Sequence, residues 1–159
     1  MDKETKPSPM NLEEFSEINI QRCDDPTAFN CGKQPMTYFS TALAEEVGEV
    51  AGIIKKLARG FNSREFFKLK EKIIASPQKY GFPNRVEAEA LDVGSTDDVN
   101  KLRDIWADGM WGKLAEECAD VFTYLDLICS RNDIDLMEAV RNKFNKVSKE
   151  MGIIDKYKI

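Results

Sequence analysis

Leu43-Ala44-Glu45-Glu46-Val47-Gly48-Glu49-Val50 recurs seventy-one positions later as Leu114-Ala115-Glu116-Glu117-Cys118-Ala119-Asp120-Val121. Five of the eight positions are identical, and Glu49 against Asp120 exchanges one carboxylate for another. Both copies lie in segments whose apolar residues recur with the period of a helix. Residues three and four apart share a helix face, so Glu46 stands beside Glu49, and Glu117 beside Asp120. Like charges at that spacing cost roughly 0.2–0.5 kcal/mol per pair in an isolated helix. Writing the same cost twice points to a cation that reverses its sign.

The helical wheel places these acids. With Leu43 at zero and about 100° per residue, Leu43, Val47, Val50, Ile54 and Leu57 form one apolar stripe, flanked by Phe39 and Ile53. Glu46 falls at about 300°, between Ile53 and Leu57, while Glu49 borders the stripe and Glu45 lies further out. In the second copy Leu114, Cys118, Val121, Leu125 and Ile128 make the stripe. Glu117 falls between Ile128 and Tyr124, Asp120 borders it and Glu116 lies outside. A carboxylate in an apolar flank is costly unless it is paired or binds metal. The chain has no histidine. If the two stripes pack together, Glu46, Glu49, Glu117 and Asp120 converge, and all-oxygen ligation suits a hard cation: Mg²⁺, with Mn²⁺ as a substitute. The plain alternative is that these acids are solvated helix faces.

Composition bounds the rest. The chain has 159 residues, 42% hydrophobic and 32% charged, with a net charge of −5. That is the profile of one soluble globular domain with a core of its own. No apolar run reaches membrane-spanning length, and Met1 to Pro9 is polar with no signal core, so the expected location is cytoplasmic with no membrane partner. Residues 1–10 read as a flexible tail. The negative balance speaks against nucleic acid as a partner, though a bound metal still allows a phosphate ligand. Cys23, Cys31, Cys118 and Cys129 lack zinc spacing. Cys118 and Cys129 are expected as small core residues. Cys23 and Cys31 flank a loop, with reduced thiols expected and a disulfide the alternative.

Along the chain, Asn11 with Glu14 starts a helix to about Gln21, with Leu12, Phe15 and Ile18 as its apolar face. Pro35 opens a long helix to about Arg59, stopped by Gly60. Asn62-Ser63-Arg64-Glu65 caps a helix to about Ala75, and Asn84 to Leu91 suggests a short one. A helix starting near Asp97, capped by Ser95 or Thr96, reaches Ser130, with Gly109 and Gly112 as sites of a kink or interruption. Asp135 with Glu138 starts a last helix. Its stripe is Leu136, Val140, Phe144, Val147 and Met151, and its other side is basic: Arg141, Lys143, Lys146 and Lys149. Most of that basic side reads as solvated, with one or two lysines, Lys143 and Lys146 foremost, in reach of a phosphate. No segment alternates as a strand does, so the expected fold is an all-α helical bundle whose two long core helices carry the acidic motifs.

At these acidic words the chain resembles the MazG-like nucleotide pyrophosphohydrolases, the all-α NTP pyrophosphatase superfamily. That group includes the dCTP pyrophosphatases, the dimeric dUTPases and the phosphoribosyl-ATP pyrophosphatases. Its mark is E-E-x-x-E on one helix and E-x-x-D on a later one, here Glu45-Glu46-Val47-Gly48-Glu49 and Glu117-Cys118-Ala119-Asp120. Lys113-Leu114-Ala115 before the second motif, Tyr124-Leu125 after it, and Asp135-Leu136 with Lys143 also look like the family. The resemblance covers roughly residues 36–59 and 112–150.

The resemblance implies hydrolysis of a nucleoside triphosphate between the α and β phosphates. It implies Mg²⁺ held by Glu46, Glu49, Glu117 and Asp120, with Glu45 as a further ligand or the base that orients water. Glu45 and Glu46 are thus the expected catalytic acids. Tyr124 matches a substrate-contacting position of some members, and a homodimer or homotetramer is implied. The motifs stand further apart than the family usually places them. Residues 11–159 therefore read as a single domain with an insertion at about 61–111, at whose end Trp106 and Trp111 are candidates to stack on a base. Two competing readings are a helical adaptor whose acids are surface decoration, and a di-iron bundle, which the missing histidine disfavours.

Overall fold

The computed structural model describes residues 11–153 and 159. The tail expected over residues 1–10 lies outside them. The described residues form six α-helices and no strand: α1 Leu12–Asp24, α2 Met36–Arg59, α3 Ser63–Ala75, α4 Arg85–Glu89, α5 Thr96–Ser130 and α6 Leu136–Glu150.

The helix ends follow from local chemistry. Asn11 Oδ1 accepts from the Glu14 amide, Asn62 Oδ1 from the Arg64 and Glu65 amides, Asn84 Oδ1 from Glu87 and Asp135 Oδ1 from Glu138. Each satisfies amides that the first turn leaves without intrahelical partners. Gly60, at φ 72°, closes α2 in the left-handed region that favours glycine. A 3₁₀ turn, Pro77–Tyr80, occupies the stretch where proline ends α3.

Two corrections concern helix extent. Helix α1 runs to Asp24 and buries Asn19 and Cys23, whereas Ile18, expected on its apolar face, is exposed. Helix α5 is 35 residues long and passes through Gly109 and Gly112 unbroken. A Cβ at either glycine meets nothing within 4 Å, so no close approach demands them.

The chain divides into two compact units, Met1–Ala44 with Asp120–Ile159, and Glu45–Ala119. The divisions fall inside α2 and α5, at the two acidic words. In the first unit Cys23, Phe39 and Leu127 are buried against Ile20, Met36, Tyr124 and Ile128. Arg131 fastens the end of α5 to the α1–α2 loop. Its guanidinium pairs with Asp24, donates to the Gly32 carbonyl and sits 4.9 Å from the centre of the Phe39 ring.

The second unit has its own core of Phe66, Leu69, Ile73, Phe82, Ala88, Leu91 and Leu102. All seven fall within the stretch that reads as an insertion. Residues 61–111 thus form α3, the 3₁₀ turn, α4 and the first half of α5, packed as a body.

The stripe expected to be buried along α2 is covered only in part by the described residues, with Leu43, Val50 and Leu57 half-buried. Phe39 and Ile53, from its flank, are buried, while Val47 and Ile54 are 49% and 51% exposed. On α5 Cys118 is exposed rather than a core residue, and Cys129 is buried as expected. On α6 Val140 and Phe144 are exposed, as is Met151 just past its end. The helical period was legible, but the described residues cover those faces only in part, leaving Leu136 and Val147 of the α6 stripe half-buried. All four cysteines are free thiols.

Candidate metal centre

Glu46 on α2 and Glu117 on α5 belong to the same unit, and Asp120 is the next turn of α5. One carboxylate oxygen from each lies within 4.8 Å of the other two. Glu46 and Glu117 are half-buried and Asp120 is exposed. Helix geometry explains the α5 pair, since positions i and i+3 share a face. Glu46 reaches the same place from a second helix.

Two like unit charges about 4 Å apart repel by roughly 1 kcal/mol in water and about 4 kcal/mol at the effective dielectric of a protein surface. Divalent cations invert that sum. The donor set is oxygen only, which fits Mg²⁺ or Mn²⁺ and not a soft metal.

The remaining expected residues are placed as follows. Glu45 and Glu49 are exposed on α2 and outside the three-carboxylate group. Lys143 and Lys146 are exposed on α6, where Lys146 lies 4.0 Å from Glu150 in an i,i+4 pair. Trp111 is 58% exposed on α5. Trp106 instead packs on Phe61, ring centres 5.7 Å apart.

Tyr124 lines a cavity of about 130 Å³ whose wall also includes Asp120. Asn19, Arg22, Phe29, Cys31, Tyr38 and Thr123 add to its polar and aromatic lining. Asn19 organises one side. Its Nδ2 donates to the Thr123 carbonyl at 3.0 Å and to Asp126 Oδ2 at 2.9 Å, and its Oδ1 accepts from Arg22 at 3.3 Å. The Arg22 guanidinium thereby lies over the Phe29 ring, 5.1 Å from its centre. The Cys31 thiol donates to the Phe29 carbonyl at 3.1 Å and to the Tyr38 hydroxyl at 3.6 Å. That hydrogen bond with Cys31, and then the charges of Cys31, Tyr124 and Cys23, hold the Tyr38 phenol above its ordinary pKa. It is a neutral hydroxyl at physiological pH.

Sequence reasoning passed over most of this cavity wall. A signal existed, because Asn19 interrupts Ile18 and Ile20, and Asp126 interrupts Leu125 and Leu127. A polar residue inside an apolar helical run is either exposed by the wheel or hydrogen-bonded in the core. A larger cavity, about 460 Å³, is walled by Leu12, Glu13, Glu17, Asp135 and Met137, and no residue of the acidic words lines it.

No protein-family model, no curated protein and no solved structure matches the chain. No helix of the described residues is long and apolar enough to cross a membrane.

Proposed function

We propose that the chain is a Mg²⁺-dependent nucleoside triphosphate pyrophosphohydrolase that cleaves between the α and β phosphates. The observation that carries the reading is the meeting of Glu46, Glu117 and Asp120, drawn from two copies of one acidic word, within 4.8 Å. Mn²⁺ substitutes for Mg²⁺ on the same oxygen donors.

Glu46, Glu117 and Asp120 hold the metal, and Glu49, one turn beyond Glu46, is the available fourth carboxylate. A divalent cation held by these carboxylates would supply positive charge for the phosphate oxygens and the leaving pyrophosphate. Glu45 orients the attacking water and accepts its proton on a carboxylate oxygen. Asp120 belongs to the acidic group and also lines the aromatic cavity with Tyr124, Tyr38 and Arg22. Lys143, Lys146 and Trp111 are exposed, and in this reading they contact the substrate.

A homodimer or homotetramer belongs to this reading. The exposed apolar residues Val47 and Ile54 on α2, Phe122 on α5, and Val140 and Phe144 on α6 support it. Within the same chemistry the alternatives are a phosphoribosyl-ATP pyrophosphatase and a dUTP- or dCTP-specific hydrolase.

The test is a pyrophosphate-release screen over the common NTPs and dNTPs with Mg²⁺. Release from one or more substrates, lost on chelation, is expected. Absence of release from all of them, together with unchanged melting on adding Mg²⁺ or Mn²⁺, would overturn the enzyme in favour of a helical adaptor.

A further inference from the structure

A second charged groove, with no residue of the acidic words in its lining, lies within the Glu45–Ala119 unit. Lys56, at the end of α2, Lys68 and Lys72 on α3, and Lys113 on α5 line one cavity of about 210 Å³. Glu65 is its single carboxylate, and Leu69, Trp106 and Met110 form its floor. A smaller recess adjoins it, sharing Lys56, Glu65 and Trp106 and adding Arg59. Five cations thus face one acid, in a chain whose net charge is −5.

Solvation alone explains scattered lysines, but four that line one concave surface are a different matter. None of the four makes an ion pair among the described residues, whereas Arg85 and Arg131 do. Lys68 and Lys72 are i,i+4 neighbours on α3, a like-charge spacing that destabilises a helix unless an anion offsets it. Lys70, between them, is used differently: its Nζ donates to the Leu91 carbonyl. Lysine ammonium groups bind phosphate as point charges and tolerate varied geometry.

We propose that this groove binds an oligophosphate, a linear chain of phosphates with several negative charges, supplied either by a nucleotide or as inorganic polyphosphate. The apolar floor with Trp106 accommodates a nucleoside end as readily as none. The small volume and the acidic balance of the chain favour such a ligand over a nucleic acid, which needs an extended basic track. The site is independent of the hydrolysis reading, because none of its residues belongs to the acidic words.

The experiment is calorimetric titration of the full chain in EDTA, so that no metal occupies the acidic group, with inorganic tripolyphosphate and separately with ATP. Wild type is expected to bind tripolyphosphate, more weakly as salt is raised. The double variant Lys68→Ala/Lys72→Ala, whose side chains are exposed, is expected to bind at least tenfold more weakly with an unchanged circular dichroism spectrum. Equal binding of both probes assigns recognition to the phosphate chain, and tighter ATP binding assigns the source to a nucleotide seated on Trp106. No binding by wild type, an unaltered affinity in the folded double variant, or preferential binding of a duplex oligonucleotide would overturn the proposal. Glu46→Gln/Glu117→Gln is expected to retain tripolyphosphate binding, so loss of hydrolysis and loss of this site are separately visible.

Discussion

Asn19 donates from Nδ2 to Asp126 Oδ2 at 2.9 Å, and each residue is only 2% exposed. One amide therefore stabilises a buried carboxylate and, through its other end, holds the Arg22 guanidinium over Phe29. Removing one partner of a buried hydrogen bond leaves the other desolvated, at a cost of about 1–3 kcal/mol and more for a charged group. Asn19→Ala is accordingly expected to lower the urea midpoint with an unchanged slope. A midpoint equal to wild type would show that Asp126 finds another partner.

Glu46→Gln, Glu117→Gln and Asp120→Asn are each expected to lower nucleotide turnover by about 10²-fold or more, as loss of a group that stabilises transition-state charge does. Helix content by circular dichroism should remain that of wild type, since these acids are not in either core cluster. Full activity in any of the three, assayed as pyrophosphate release, removes that residue from the site.

Binding of Mg²⁺ or Mn²⁺ to the folded chain alone stabilises it by mass action, about 2.7 kcal/mol at a hundred times Kd. A rise in Tm with metal is expected in wild type and its loss in Glu117→Gln. An equal rise in that variant would place the bound metal elsewhere.

The thiols should react in order of access. Cys118 is exposed, whereas Cys23 and Cys129 are buried. Burial, with the Asp126 charge adding to it, holds the Cys129 thiol above its ordinary pKa. A raised pKa leaves less thiolate at a given pH, and the thiolate is the nucleophile. With an aromatic disulfide reagent near pH 8, Cys118 should label first and Cys129 only on unfolding. Mass spectrometry of the labelled peptides checks this, and early labelling of Cys129 would contradict it.

Gly109 sits inside α5, and an alanine methyl at this position would meet open space. Replacing an interior helical glycine by alanine is worth roughly 0.5–1 kcal/mol. Gly109→Ala should raise Tm, and a fall would indicate that a partner subunit approaches closely at this turn.

Much of the local architecture was written in the chain. Asparagine and aspartate caps at Asn11, Asn62, Asn84 and Asp135, the stop at Gly60 and the helical period announce the helices, because these signals act over a few residues. The repeated acidic word singled out Glu46, Glu49, Glu117 and Asp120 for the same reason, since spacing along a helix is a local property, but only packing left Glu49 outside the group that the other three form. Periodicity cannot say what covers an apolar face, however. Val47, Ile54 and Cys118 lie on stripes that the wheel marks as inward, yet the folded chain leaves them open. Likewise only packing brought Asn19 to Asp126, and Lys56 to Lys68, Lys72 and Lys113. Those contacts join residues distant in sequence, and their free energy depends on burial and charge in three dimensions, which no window of neighbouring residues contains.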